Sequence, residues 1–358
     1  MPKSTPQTPA TNMLQLAADT MISQIREIVR HAHIATDPGE PEGVHQMRVY
    51  SRRLRASLRA FDPVLPKPQK KTWAKRVKRI TKSLGDARDA DVQAIFLEKT
   101  LKKLNDDKAR PGLERLLLRT QQQRRKCQPD VEAVVRDVLD KHVLDLMAES
   151  LRTLQVNDRL SPPPEVLSEV SISETQTSTS PGEPAVYGHA MRSILEQLEK
   201  FLAYQPLPVH LHEAETLHQM RIAGKRLRYT IENFQPAYAG RLDAAHKTLK
   251  KLQDDLGDIH DCDVWRERLP AFIEAERQRT LDYFGHLRSF KRLCYGLEWL
   301  IQHQVDERRR LGEHLHSNWR QAAADGVWDD LRQTLAVAPP PPEVSTPPET
   351  EGSTDTYG

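Results

Sequence analysis

The sequence predicts an all-α protein in which one helical module is written twice. Three observations predict it. Aliphatic residues recur at spacings of three and four along most of the chain, the period of helices with one buried face. Few runs are β-branched, and Pro and Gly fall mainly between the periodic segments. A block of twenty residues also returns, ungapped, 173 positions later.

Residues 44 to 63 read VHQMRVYSRRLRASLRAFDP, and residues 217 to 236 read LHQMRIAGKRLRYTIENFQP. His45, Met47, Arg48, Arg53, Leu54, Arg55, Phe61 and Pro63 return as His218, Met220, Arg221, Arg226, Leu227, Arg228, Phe234 and Pro236. A second block, KSLGDARDADV ending at Val92, returns 172 positions later as DDLGDIHDCDV ending at Val264. Two four-helix bundles related by a pseudo-twofold axis are the economical architecture for such a duplication.

In the first block Met47, Leu54, Leu58 and Phe61 share one helix face, as Met220, Leu227, Ile231 and Phe234 do in the second. Pro63 and Pro236 stop these helices. The next helix buries Trp73, Val77, Ile80 and Leu84, matched by Leu249, Leu252 and Leu256. Gly85 and Gly257 suit the ends of those helices, with Asp89 or Asp91, and Asp261 or Asp263, capping the helices that follow. Further amphipathic stretches around Gly112 to Leu154 and Tyr283 to Leu335 complete the two halves.

The 358 residues suffice for about two domains. The expected division is a disordered arm (1–12), a first bundle (13–160), a disordered linker (161–184), a second bundle (185–336) and a disordered acidic, Pro-rich tail (337–358). Linker and tail are rich in Pro, Ser, Thr and Glu, and each holds four acids and no Lys or Arg. Without them and Lys3, 52 basic residues face 42 acidic ones, against a net charge of only +3 for the whole chain. The folded part therefore favours polyanionic partners.

No apolar run approaches the ~18 residues of a membrane span, and the polar N-terminus has no apolar core of a secretion signal, so a cytoplasmic protein with no membrane partner is expected. Cys127, Cys262 and Cys294 have no paired spacing and read as reduced core thiols.

Opposite the buried stripe, His45, Arg48, Arg52, Arg55 and Arg59 follow one another at steps of three and four, forming a continuous basic ridge. His218, Arg221, Lys225 and Arg228 repeat it, with Glu232 in the place of Arg59. On the following helix Lys71, Lys75, Lys78 and Lys82 form a second basic row beside Arg79. Lys247, Lys250 and Lys251 match Lys75, Lys78 and Arg79, whereas Asp243 and Asp254 replace Lys71 and Lys82. Like charges at these spacings cost an isolated helix a few tenths of a kcal/mol per pair, and a merely soluble face would alternate signs. A duplicated like-charge ridge points to a site for phosphate oxygens. Arg53 and Arg226 lie on the helix flank and are expected to pair with Asp86 or Asp89 and with Asp258 or Asp261.

Catalytic patterns are weak. His260-Asp261 resembles half of a metal-phosphohydrolase pair, but its repeat counterpart is Arg88-Asp89. Asp89-Ala90-Asp91 and Asp261-Cys262-Asp263 suit capping better than a metal. His45 and His218 lie among arginines that repel a cation. There is no Walker loop and no G-x-G-x-x-G. Neither a cofactor, a metal nor an enzymatic activity is expected.

The pattern H-Q-M-R-x-x-x-[RK]-R-L-R followed by L-G-D-x-x-D-x-D-V, present twice, resembles the CHAD family, the conserved histidine α-helical domain. The resemblance runs from about Met13 to Ala336 except for the linker. It implies two four-helix bundles around a basic central groove that binds inorganic polyphosphate, in proteins found at polyphosphate granules. The family histidines align with His45 and His218. Its basic ligands align with Arg48, Arg52, Arg55, Arg221, Lys225 and Arg228, and with Lys75, Lys78, Lys247 and Lys250. Glu232, Asp243 and Asp254 make the second half less basic than the first.

The expected function is non-enzymatic binding of polyphosphate in the cytoplasm, at granules. The alternatives are a protein that binds RNA or DNA backbones and a metal-dependent phosphate hydrolase. The ridges hold no aromatic platform for bases and few Asn or Gln to read base edges, which argues against nucleic acid.

Overall fold

The computed structural model describes residues 12–160, 185–205, 207 and 211–337. The expected disordered arm, linker and tail lie outside the described residues, except for Asn12 and Val337. Among the described residues there are helices and no strands, as the periodicity predicts.

The first half forms α1 (Met13–Ala35), α2 (Pro41–Ala60), α3 (Lys67–Ser83), α4 (Gly85–Lys103), α5 (Arg110–Lys126), α6 (Gln128–Leu139) and α7 (Asp145–Leu160). The second forms α8 (Ala185–Leu202), α9 (Ala214–Phe234), α10 (Asp243–Phe284), α11 (Arg288–Ala324) and α12 (Val327–Ala336). Asn12 caps α1, its side chain accepting from the backbone N–H of Leu14 at 2.7 Å and of Gln15 at 3.3 Å. Pro63 and Pro236 stand in the short 3-10 turns Asp62–Val64 and Gln235–Tyr238 that follow α2 and α9. The stripes Met47, Leu54, Leu58, Phe61 and Met220, Leu227, Ile231, Phe234 are buried, as are Trp73, Val77, Ile80, Leu84 and Leu249, Leu252, Leu256.

Two glycines do not do what their sequence context suggests. Gly85 begins α4 rather than ending α3, and α10 runs without a break through Gly257 for 42 residues, about 63 Å at 1.5 Å per residue. The glycine that ends α10 is Gly285, which takes the left-handed conformation at φ 68°. Asp89, Asp91, Asp261 and Asp263 consequently cap nothing. Asp91 instead receives the Arg124 Nε at 2.6 Å, and its counterpart Asp263 receives the Arg308 Nε at 2.6 Å. The repeat thus builds the same ion pair twice, tying α4 to α5 and α10 to α11.

One hydrophobic core runs through both halves, from Met21 and Ile25 on α1 through Met47 and Met220 to Phe201 and Trp319. A second core joins the halves directly. Leu97 on α4 and Leu113 and Leu116 on α5 pack with Trp265 and Leu269 on α10 and Leu297 and Leu300 on α11. The crossing of α5 over α11 requires glycine on both sides. A β-carbon on Gly112 would stand 2.3 Å from the Leu293 carbonyl oxygen, and one on Gly296 would stand 2.0 Å from that of Ala109. Nearby, the buried Glu276 of α10 is held by Arg115 and Arg119 of α5, at 3.2 and 2.7 Å, and by Arg279 at 2.7 Å.

All three cysteines are free. Cys127 and Cys262 are core thiols as expected. Cys294 is not: it is partly exposed on α11, where its thiol donates to Glu298 Oε1 at 3.1 Å.

Candidate polyanion site

The site lies where α2 and α9 cross. Gly43 lets α2 start hard against the end of α1, since a β-carbon there would meet the Ala35 nitrogen at 2.4 Å. At the other end of α2, Ser57 Oγ is 2.7 Å from Asn233 Oδ1 of α9 and 2.9 Å from Gln24 Oε1 of α1. Repeat mates meet each other here. Phe61 packs edge-on against Phe234 with ring centroids 5.4 Å apart, and Arg52 and Lys225 face one cleft together. The crossing thus brings equivalent positions of the two repeat copies face to face.

The ridges are not free-standing surface charge. Arg48, Arg52, Arg55, Arg221, Lys225 and Arg228 are all half-buried. Arg48 donates to the Thr81 carbonyl at 3.4 Å and stands 3.7 Å from Asp89 Oδ1. For Arg221, its mate, Asp261 is the acid that most offsets burial, and its Nε is buried with no hydrogen-bond partner among the described residues. Burial, more than any neighbour, weakens the hold of both guanidiniums on their protons.

Lys225 is the most perturbed of the group. Burial first, then the charges of Arg221, Arg52 and Arg228, push its ammonium down to about 6, and Asp261 opposes this only in part. Neutral near pH 7, Lys225 would regain its proton if an anion displaced the surrounding positive potential. The His218 Nδ1 lies 3.3 Å from His260 Nδ1, and burial together with Arg221 and His218 brings His260 down to about 4. In the first half the equivalent neighbours are His45 and Arg88, and burial, then Arg88, lowers His45 as well.

Beside the crossing lies a cleft of about 550 Å³. Arg52, Arg55 and Arg59 of α2, Lys225 and Arg226 of α9 and Lys200 of α8 line it, with Glu196 its one carboxylate. Glu196 is already engaged by Lys200 at 2.5 Å. Such a wall, concave and cationic, is suited to charge-assisted bonds with successive phosphoryl oxygens.

Of the residues expected to bind, Arg52, Arg55, Arg59 and Lys225 line this cleft, and Arg48, Arg221 and Arg228 continue the half-buried cluster. His45 and His218 stand at its far ends beside Arg88 and His260. Lys75, Lys78 and Lys82 are exposed on α3 and Lys247, Lys250 and Lys251 on α10, and none of the six lines the cleft. Arg79 reaches Asp137 of α6 at 3.4 Å.

The pairing expected for Arg53 and Arg226 is different in the structure. The acids of the LGD blocks attend the ridge arginines Arg48 and Arg221 instead. Arg53 meets Glu232 of α9, with Nε 3.0 Å from Oε2, and Arg226 is exposed in the cleft close to Arg59. Lys200 lies outside the repeated blocks, so no sequence signal marks it. Arg226 was hidden by its mate: identical residues at 53 and 226 meet opposite charges across the crossing.

Comparison with known proteins agrees with this architecture. The sequence profile of the CHAD domain matches residues 20–270. The crystal structure of the CHAD domain from the plant Ricinus communis is similar at 20% identity and a TM-score of 0.52, over 94% of this chain and 97% of that one. PptA from Streptomyces chartreusis is similar at 15% identity and a TM-score of 0.55, over 88% of this chain and all of that one. At these identities the likeness is one of fold. None of the curated proteins compared matches the sequence. With its profile matched across well over half of its 358 residues, this chain belongs to the CHAD domain family.

Proposed function

We propose that the protein binds inorganic polyphosphate without transforming it, and that it does so at the α2–α9 crossing. The observation that carries this reading is the cleft lined by four arginines and two lysines, one of them the Lys225 discharged by its neighbours, against one carboxylate, beside a buried Arg221 Nε with no hydrogen-bond partner among the described residues. A fold maintains such a cluster at a cost to its own stability, and a polyanion relieves that cost. Polyphosphate is flexible, carries charge along its whole length and has no bases, which fits a wall of guanidiniums whose one lining aromatic, Tyr229, is buried rather than offered as a stacking platform. What is implied by membership of the CHAD family supports the same ligand.

The binding is electrostatic. Guanidiniums offer paired donors to non-bridging oxygens, and Lys225 adds a point charge once it is protonated. The excess positive charge of the cleft disfavours a divalent metal, which supports binding over hydrolysis. Association with polyphosphate granules follows from this reading, and among the described residues no helix is long and apolar enough to cross a membrane.

The test is a titration of polyphosphate against RNA of equal charge at two salt concentrations. Tighter binding of polyphosphate, with log affinity falling linearly against log salt, is expected. Preference for RNA would favour a nucleic-acid function, and release of orthophosphate with Mg²⁺ or Mn²⁺ would favour a hydrolase.

A further inference from the structure

The crossing of α2 and α9 has two flanks, and the duplication makes them equivalent in place but not in charge. On one flank lies the basic cleft, bordered by α8, where Arg226 approaches Arg59. On the other lies a cleft of about 1240 Å³ bordered by α1, where Arg53 approaches Glu232. Arg53 and Arg226 are repeat mates, and so are the positions of Arg59 and Glu232. The same contact therefore occurs twice: once between like charges and once as an ion pair.

The consequence extends through both clefts. The second carries Arg26, Arg53 and Arg152 against Asp19, Glu27 and Glu232, with His246 beside them. Its charges balance where those of the basic cleft do not. Glu232 is the pivot, since besides Arg53 it holds His246 at 3.1 Å and Arg228 at 3.5 Å. His246, Arg53 and Arg228 together keep its carboxyl ionised against burial, below the usual glutamate range.

We propose that a polyphosphate chain held at the centre of the crossing continues in one direction only, into the cleft of Arg55, Arg59, Lys200 and Arg226, because Glu232 closes the equivalent path on the α1 flank. This rests on the polyphosphate reading above and adds a polarity to it. On the open side each further phosphoryl group meets another cation. On the closed side the next position is an ionised carboxylate, which repels the chain and occupies the arginines that would otherwise receive it.

Calorimetric titration of long-chain polyphosphate into the full-length protein and two variants tests the proposal. Arg59→Glu copies the closed arrangement onto the open flank by giving Arg226 an acid partner, and Arg26→Glu makes the same charge change on the α1 flank. Both side chains are exposed, so both variants should keep the native helical circular dichroism. Arg59→Glu should weaken binding at least tenfold, and Arg26→Glu by less than twofold. Equal losses, or a larger loss from Arg26→Glu, overturn the one-sided path while leaving polyphosphate binding in place. If the unaltered protein fails to bind polyphosphate, the function itself is wrong and the polarity falls with it.

Discussion

Arg48 lies across Gly85: its Nη1 is 3.0 Å from where a β-carbon on that glycine would stand. In the second half Arg221 lies across Gly257 in the same way, but its Nε is 4.0 Å from the corresponding point. The glycine of each LGD block therefore leaves room for the arginine of each HQMR block, more tightly in the first half. Neither helix ends because of it.

Substituting the two glycines should separate binding from stability. Gly85→Ala forces the Arg48 guanidinium to shift, so polyphosphate affinity should fall by up to about tenfold, the worth of one charge-assisted bond. Gly257→Ala meets only ordinary contact distance in the interior of α10. It should keep its affinity and gain up to about 1 kcal/mol of helix propensity, or roughly 2 °C in melting temperature. Calorimetry and thermal melts on both variants check this. A larger affinity loss from Gly257→Ala would contradict the geometry.

Arg53 and Arg226, identical in the repeat, should behave oppositely. Arg53→Ala removes one of the cations around Glu232 and should lower stability by about 0.5–1 kcal/mol, since the guanidinium is a third exposed and partly screened. Arg226→Ala relieves the like charge beside Arg59, so the melting temperature should hold or rise while polyphosphate affinity drops. Equal destabilisation by the two would restore the pairing with Asp86 or Asp89 and Asp258 or Asp261 that the motif spacing suggests.

The buried stripes and the helical class are legible in the sequence because a single periodicity fixes both. Phe61, Leu54 and their mates can face only one way on a helix. The helix ends expected at Gly85 and Gly257 are misread because glycine inside a helix costs only about 1 kcal/mol, which the packing of α4 and α10 outweighs. Long-range partners are the least legible. Arg53 and Arg226 sit in identical local sequences, and only the crossing of α2 over α9 decides that one meets Glu232 and the other Arg59. The rows Lys75, Lys78, Lys82 and Lys247, Lys250, Lys251 have the same spacing as the arginine ridge, yet they lie outside the cleft because α3 and α10 turn those faces to solvent.

Binding should take up a proton at Lys225. Arg52, Arg221 and Arg228 face its ammonium, with Asp261 their partial counterweight, and its value is about 6 in the unliganded protein against 10.5 for an ordinary lysine. A bound polyanion raises it, so between about pH 6 and the bound value the complex holds one more proton than the free protein. Affinity should fall as pH rises through that window, by up to tenfold per unit, and Lys225→Arg should flatten the profile. Titrations in two buffers of different ionisation heat measure the proton directly. For folding the sign is the same kind of linkage: between pH 6 and 10.5 the unfolded chain binds more protons at this residue, so its contribution to stability improves as pH rises. Lys225→Met should therefore raise the melting temperature more at pH 6 than at pH 9.

Charge reversal should cost more in the first ridge than in the second, although not because Asp243 and Asp254 weaken the second half. Both acids are exposed on α10 and neither lines the cleft. Arg52 and Arg55 both line it, and no acid pairs with either among the described residues' ion pairs. Lys225 also lines it but is largely uncharged near neutral pH, and Arg228 lies 3.5 Å from Glu232 and over the Tyr229 ring. Before any ligand arrives, the second ridge has less free charge to offer. Arg52→Glu with Arg55→Glu should therefore weaken polyphosphate binding more than Lys225→Glu with Arg228→Glu, in calorimetry at pH 7.5 with one polyphosphate preparation. Lowering the pH toward 6 charges Lys225 and should narrow the gap. A gap that widens toward pH 6, or a larger loss from the second pair, would mean that the partners of Arg228 and the discharge of Lys225 do not set the balance between the ridges.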